Sequence, residues 1–270
     1  MRVALGLSYD GAAYDGWQSQ PSGRTVQDRL EHALARFADE RITTLCAGRT
    51  DAGVHGLMQV VHFDTNAQRT PYAWVRGTNT HLPSNIAVQW AHPVPAEFHS
   101  RASATSRRYA YVLLQSPVRP SVEAGRVGWV FQPLDLNAMQ AALPHLLGER
   151  DFTSFRAAAC QALSPIKNLM RVDISRRGSR ADADAPDICY WRFEFEASAF
   201  LHHMIRNIMG CLIVIGQGKK PPEWMAEVVA ARSRDAAAPT FMPDGLYFLG
   251  PRYDAHWGLP DRTAAFDWLP

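Results

Sequence analysis

Apolar positions change their spacing repeatedly along the chain, and each change marks an element. Val3, Leu5 and Leu7 alternate with their neighbours and predict a strand over 2–8. Over 26–38 the apolar residues fall at helical spacing, with Thr25 placed as N-cap and Asp28 at the acidic position of a capping box. Strands follow over 42–47 and 58–64, the second carried by the alternating run Met58 to Phe63. A helical piece near 72–79 precedes strands over 86–92 and 106–114. Beyond these come a helix over 136–147, paired strands near 168–176 and 188–197, helices over 201–215 and 222–231, and a strand over 246–250. Pro221-Pro222 stops one helix and restarts the next. Strands and helices do not alternate as crossover units would, and several strands are amphipathic. The pattern therefore predicts α+β with mainly antiparallel sheet, not a doubly wound fold.

Length and composition narrow this picture. At 270 residues the chain suggests two domains, with the boundary expected near 100–105, where small and polar residues separate two strand-like blocks. The N-terminal domain is then 1–104 and the C-terminal domain 105–270, each with the ingredients of a sheet covered by helices. With 47% hydrophobic residues the chain can bury a sizeable core. The longest apolar run, Met209 to Ile215, falls far short of the roughly 20 residues that span a bilayer. No signal-peptide layout precedes the first strand, so a cytoplasmic protein without membrane partners is expected. Segments 115–126 and 176–187 are polar, with Pro and Gly, and read as exposed loops.

Candidate chemistry is concentrated in few places. Cys46, Cys160, Cys189 and Cys211 are widely separated and form no Cys-x-x-Cys pair, so they read as reduced packing residues. His202 and His203 are adjacent and cannot both face one metal from a helix face, so no metal site is expected. Gly216 to Lys220 lacks both Walker and dinucleotide spacing, which leaves no nucleotide cofactor indicated. A formal net charge of +2 says less than its distribution. Arg101, Arg107 and Arg108 crowd one region; Arg171, Arg176, Arg177 and Arg180 another; Lys219 and Lys220 follow the long helix. Arg176 to Arg180 reads as a solvated loop. Arg107 shares a strand face with Tyr109 and Tyr111, and cations interleaved with rings suit a nucleic-acid backbone and its bases.

The run Gly48-Arg49-Thr50-Asp51-Ala52-Gly53-Val54-His55 sits between two strands, where scaffolds present functional groups. From spacing alone it reads equally as a turn, with Asp51 bonding neighbouring amides and Arg49 solvated. The run resembles the catalytic motif of the tRNA pseudouridine synthase A family. So do Tyr9-Asp10-Gly11 with Tyr14 to Gln20, Thr25-Val26-Gln27 leading into Leu30 to Leu34, and Phe98 to Ala104 followed by Arg107 to Tyr111. Asp151 to Phe155, Phe200 to Asn207 and Gly245 to Phe248 complete the series, in the family's order and over nearly the whole chain. Gly56 and Arg150 stand where the family more often has alanine and histidine, and Ala12 where it has threonine.

The resemblance implies two α+β halves whose mainly antiparallel sheets meet at a central catalytic cleft, the pseudouridine synthase fold. It implies isomerisation of uridine to pseudouridine at positions 38, 39 and 40 of the tRNA anticodon stem-loop, by a homodimer. Asp51 would be the nucleophile, and Arg206 the cation paired with it. Tyr109 would stack on the displaced uracil, and Arg49 would fill the gap left by the flipped nucleotide. Leu246 and Tyr247 would wall the pocket. Arg107, Arg108, Lys219 and Lys220 are candidates for the tRNA backbone. No cofactor is expected, because the reaction neither adds a group nor changes oxidation state. Two other classes stay open: a catalytically silent RNA-binding protein, and a hydrolase using Asp51 with His55. The first predicts a degenerate Asp51, Tyr109 or Arg206, and all three are present. The second lacks any Ser- or Cys-nucleophile signature.

Overall fold

The computed structural model describes residues 1–178 and 188–260. The chain divides into two compact units, one formed by Met1–Arg108 with the stretch from Tyr247, the other by Tyr109–Leu246. The fold is mixed, with mostly antiparallel strand pairing and five α-helices among the described residues.

In the first unit, β1 (Arg2–Tyr9) lies between β3 (His55–Asp64) and β4 (Ile86–Val94), antiparallel to both. From the far end of the chain, β10 (Leu246–Tyr253) adds parallel to β3, with Tyr247 opposite His55 and Phe248 opposite Gly56. Both faces of this sheet are covered. Val3, Leu5, Leu7, Val61 and Phe63 join Val26, Leu30, Leu34 and Trp74 in one apolar cluster. These partners come from α1 (Val26–Ala38) and α2 (Pro71–His81). On the other face Ala4, Val60, Trp90 and Phe98 pack together with Tyr253 and Trp257. Two-residue alternation sends Ala4 and Leu5 to opposite faces, so β1 reads as a nearly continuous buried run. Each fully buried aliphatic side chain contributes about 1.5–3 kcal/mol.

The helix α1 begins as its sequence dictates. Thr25 accepts from the Asp28 amide, and the Asp28 carboxylate returns to the Thr25 amide. The strand expected over 42–47 shrinks to β2 (Leu45–Cys46), paired with β3. Its physical cause is α1. The Glu31 carboxylate takes the Thr44 amide at 2.7 Å, and the Gln27 amide group donates to the Thr44 carbonyl, so helix side chains occupy the groups a ladder would use.

β5 (Ala104–Gln115) enters the second unit at Tyr109, where the strand order is β5, β9 (Cys189–Ala197), β8 (Ile166–Arg177), β7 (Gly148–Asp151), with β6 (Gly128–Val130) pairing β5. Trp191, Phe193 and Phe195 alternate as the buried face of β9. The long helix α4 (Met204–Gly216) is buried over most of its surface and packs on α3 (Leu136–Ala142), while α5 (Trp224–Ala231) follows Pro221-Pro222. The helix expected over 136–147 ends at Ala142 and passes into a 3₁₀ turn at Leu143–His145, because Pro144 has no amide to continue the α ladder. The helix expected from 201 starts at Met204, behind His203 in the left-handed region at φ 62°. Arg176 and Arg177 are not loop residues. They close β8 opposite Trp191 and Tyr190, and Arg176 lies over the Trp191 ring. Arg180 and the rest of 179–187 lie outside the described residues. Gln115 and Ser116 do not belong to an exposed loop either; Gln115 is buried and its side-chain Oε1 accepts from the Leu134 amide and the Trp191 indole. Among the described residues no helix is long and apolar enough to cross a membrane.

His62 is buried in the first unit, and its Nδ1 accepts from the Ser100 amide at 3.1 Å. Burial, with the nearby charges of His99 and Arg2, pushes its pKa down to about 4. The unfolded chain therefore binds a proton that the folded chain refuses as pH falls from about 6.5. Stability from this group should be complete above that value and lost progressively towards about pH 4, by up to about 3 kcal/mol. Urea midpoints across this window should slope less steeply for His62→Gln. Equal slopes for the two proteins would show that His62 does not carry the effect.

Candidate active site

The loop between β2 and β3 carries Arg49, which is exposed, and Asp51, which is half-buried, while Thr50 between them is buried. Its backbone is held at several points. Trp17 donates its amide to the Thr50 carbonyl at 3.0 Å, Val54 to the Asp51 carbonyl at 3.1 Å, and Gly53 to the Tyr14 carbonyl at 3.4 Å. The Tyr9 hydroxyl meets the Thr50 hydroxyl at 2.9 Å. Burial raises the Tyr9 phenol well above the usual tyrosine range, so it is a neutral hydrogen-bonding group there. Gln59, wholly buried on β3, donates to the Gly48 carbonyl at 2.6 Å.

Two glycines make the close approach possible. A Cβ on Gly11 would lie 1.9 Å from the Val54 carbonyl oxygen, and one on Gly16 would lie 2.7 Å from that of Thr50. Gly16 also sits at φ 94°, a conformation side chains resist. The segment with Gly16 is tied to α1, whose Val26 and Gln27 amides bond the carbonyls of Gly16 and Trp17. At the far end of the loop, His55 is buried; its Nδ1 lies 3.1 Å from both the Gly11 amide and the Asp10 carboxylate. Its ring stacks on Tyr247 at 4.6 Å and 21°. The structure thus gathers Arg49, Asp51, His55 and Tyr247 in one unit.

Arg107 and Arg108 end the same unit on β5, both half-buried. The Arg107 guanidinium donates to the carbonyls of Ala47, Ala104 and Arg101. In the second unit Tyr109 is buried, its ring edge-on to Phe200 at 5.1 Å. Arg206 is half-buried on the first turn of α4, and its Nε donates to the Phe241 carbonyl at 2.8 Å. Leu246 is buried where β10 begins. Lys219 and Lys220 are exposed beyond the far end of α4, roughly 15 Å along the axis from Arg206, with Lys220 over the Trp224 ring. Helix-face geometry does not govern His202 and His203, which precede α4 with their rings 4.0 Å apart. Sequence reasoning missed the anchoring roles of Tyr9, Gln59 and Arg107. Only Gln59 left a signal, a polar residue within the apolar run Leu57 to Val61.

A family model described as tRNA pseudouridine synthase matches residues 7–101 and 142–254, which include Arg49, Asp51, Arg206, Leu246 and Tyr247 but not Tyr109. The tRNA pseudouridine synthase A of Paracidovorax citrulli (strain AAC00-1) is 73% identical over 278 residues, with 100% of each chain covered. Those of Acidovorax ebreus (strain TPSY) and Polaromonas naphthalenivorans (strain CJ2) are 72% and 71% identical, again with 100% of each chain covered.

Gly16 and Gly23, both at positive φ, separate backbone strain from clash. Gly23, at φ 63°, has nothing within 4 Å of an added Cβ. Gly23→Ala should cost about 1 kcal/mol, the strain of a left-handed residue. Gly16→Ala should cost clearly more and speed hydrogen exchange at the Trp17 and Val54 amides. Equal losses of stability for the two variants would show that the contact with Thr50 does not constrain the loop.

Proposed function

The chain belongs to the tRNA pseudouridine synthase family and is a tRNA-modifying isomerase; within that class we propose that it acts on uridines 38, 39 and 40 of the anticodon stem-loop, with Asp51 as nucleophile. One observation supports Asp51 above the other acids: its half-buried side chain rises from a loop whose backbone is clamped on both sides of it. Such preorganisation lets a carboxylate meet a reacting carbon without the cost of ordering it during the reaction.

The reaction breaks the bond between N1 of uracil and C1′ of ribose and forms one between C5 and C1′. The C5 proton leaves and N1 gains one, so the product is an isomer and no cofactor is consumed. A stacked base must first be extruded, and the exposed guanidinium of Arg49, two residues from Asp51, suits the gap that remains. Tyr109 is assigned to stacking on the uracil and Arg206 to balancing carboxylate charge. Leu246 and Tyr247 wall the base pocket. Several neighbouring targets for one enzyme imply reading of RNA shape and backbone more than sequence. Arg108, Lys219 and Lys220 are assigned to the phosphates. The working form is proposed to be a cytoplasmic homodimer.

Asp51→Ala and Asp51→Asn should fold and bind tRNA but lose at least about 10³-fold in single-turnover rate, roughly 4 kcal/mol of barrier. Near-normal rates for either variant would remove Asp51 from the chemistry. Each phosphate-binding cation lost, by contrast, should flatten the log–log salt dependence of tRNA affinity by about 0.7–0.9 units. Arg206→Ala should leave that slope in place while depressing the rate. A slope reduced by about one unit with the chemical step spared would make Arg206 a phosphate ligand.

A further inference from the structure

We infer that Arg107 and Gln59 are positioning residues for the Asp51 loop, fixing the carbonyls of Ala47 and Gly48 from which it departs. The inference rests on the reading of Asp51 as the reacting carboxylate. It concerns residues whose side chains reach the backbone at the start of the loop.

Three donor nitrogens of Arg107 lie on carbonyl oxygens of its own unit. Nε and Nη2 each lie 3.3 Å from the Ala47 oxygen, Nη1 lies 3.2 Å from that of Ala104, and Nη2 also reaches that of Arg101. A guanidinium offers five donors in a rigid plane, so one side chain can tie the Ala47 peptide to the 101–104 stretch at fixed mutual angles. Gln59 then holds the next carbonyl, that of Gly48, at 2.6 Å from a wholly buried position. The Ala47 amide is itself bonded to the Val60 carbonyl at 2.8 Å, which ties the same peptide to β3. Two consecutive carbonyls are thus oriented before the loop reaches Arg49 and Asp51.

Carbonyls at a protein surface are ordinarily satisfied by water, which fills the bond but fixes no direction. Replacing water by a buried amide and a planar cation fixes both position and angle. A displacement of about 1 Å at a reacting group costs on the order of 10²-fold in rate, so a loop this short transmits a slack start directly to its carboxylate. A lysine at 107 keeps the charge but cannot span three carbonyls. If Arg107 instead gripped a phosphate, lysine would serve nearly as well.

The test compares Arg107→Gln, Arg107→Lys and Gln59→Leu with Asp51→Ala, on a full tRNA transcript. Single-turnover rates, tRNA affinity across a salt series and thermal melts are measured for each. The positioning role predicts rates about 10- to 100-fold lower for both Arg107 variants and for Gln59→Leu, with affinity and salt slope close to the parent's. Should Arg107→Gln fail to fold, Arg107→Lys and Gln59→Leu decide the matter. A normal rate in Arg107→Lys, with the slope in Arg107→Gln flattened by about 0.7–0.9 units, would make Arg107 a phosphate ligand and overturn the inference. Unchanged rates in Gln59→Leu and Arg107→Lys alongside a silent Asp51→Ala would overturn it while sparing Asp51. An active Asp51→Ala would instead remove the reading on which it stands.

Discussion

A surface loop that must present charged side chains has to keep its own peptide groups from wandering, and the Gly48–Gly53 segment depends on that constraint. The carbonyls of Gly48, Thr50 and Asp51 and the amide of Gly53 are taken up by Gln59, Trp17, Val54 and Tyr14. This requires backbone to approach backbone, which only glycine at 11 and 16 allows. It also requires the 14–17 segment to be immobile, and the first amides of α1 hold it by the carbonyls of Gly16 and Trp17. The capping box at Thr25 and Asp28 therefore does more than start a helix. It steadies the wall against which the loop leans.

The electrostatics of this region follow from the same economy of space. Tyr9 stays neutral because burial disfavours its phenolate, so it can bond Thr50 without adding charge beside Asp51. The cations divide by exposure. Arg107 is engaged with backbone, Arg206 with the Phe241 carbonyl, and Arg49, Lys219 and Lys220 are open to solvent. Only the exposed group gains little from the protein itself and is available to a polyanion at small desolvation cost.

Much of the fold was legible because its signals are local. Helix 26–38 was bounded by its cap residues, and β1, β3, β4, β8 and β9 by alternation. What failed was governed by distant partners. Ile42 to Thr44 have strand composition, but Glu31 and Gln27 on α1 claim the peptide groups of Thr44. Gly148–Asp151 is charged and short, so nothing in its own residues announces an edge strand; its pairing with Ile166–Leu169 does. Arg176 and Arg177 looked like loop because arginine tolerates solvent, whereas cross-strand partners Trp191 and Tyr190 keep them in register. At the candidate site, Asp51, Arg49 and Arg206 were named from motif resemblance. Periodicity could not show that Arg107 turns to carbonyls, since the same alternation serves a phosphate ligand and a backbone clamp alike.

The return of β10 to the first unit has a consequence in time as well as in space. A ribosome finishes Met1–Arg108 long before it makes Tyr247, the residue that stacks on His55 beside the Asp51 loop. About 140 residues intervene, on the order of ten seconds of synthesis. During that interval β3 waits with its Gly56 edge unpaired, a strand edge of the kind that recruits other chains. The nascent first unit is thus a template missing its final strand, and an interrupted chain would lack the ring against which His55 rests. The sheet of the first unit closes only when β10 has been made.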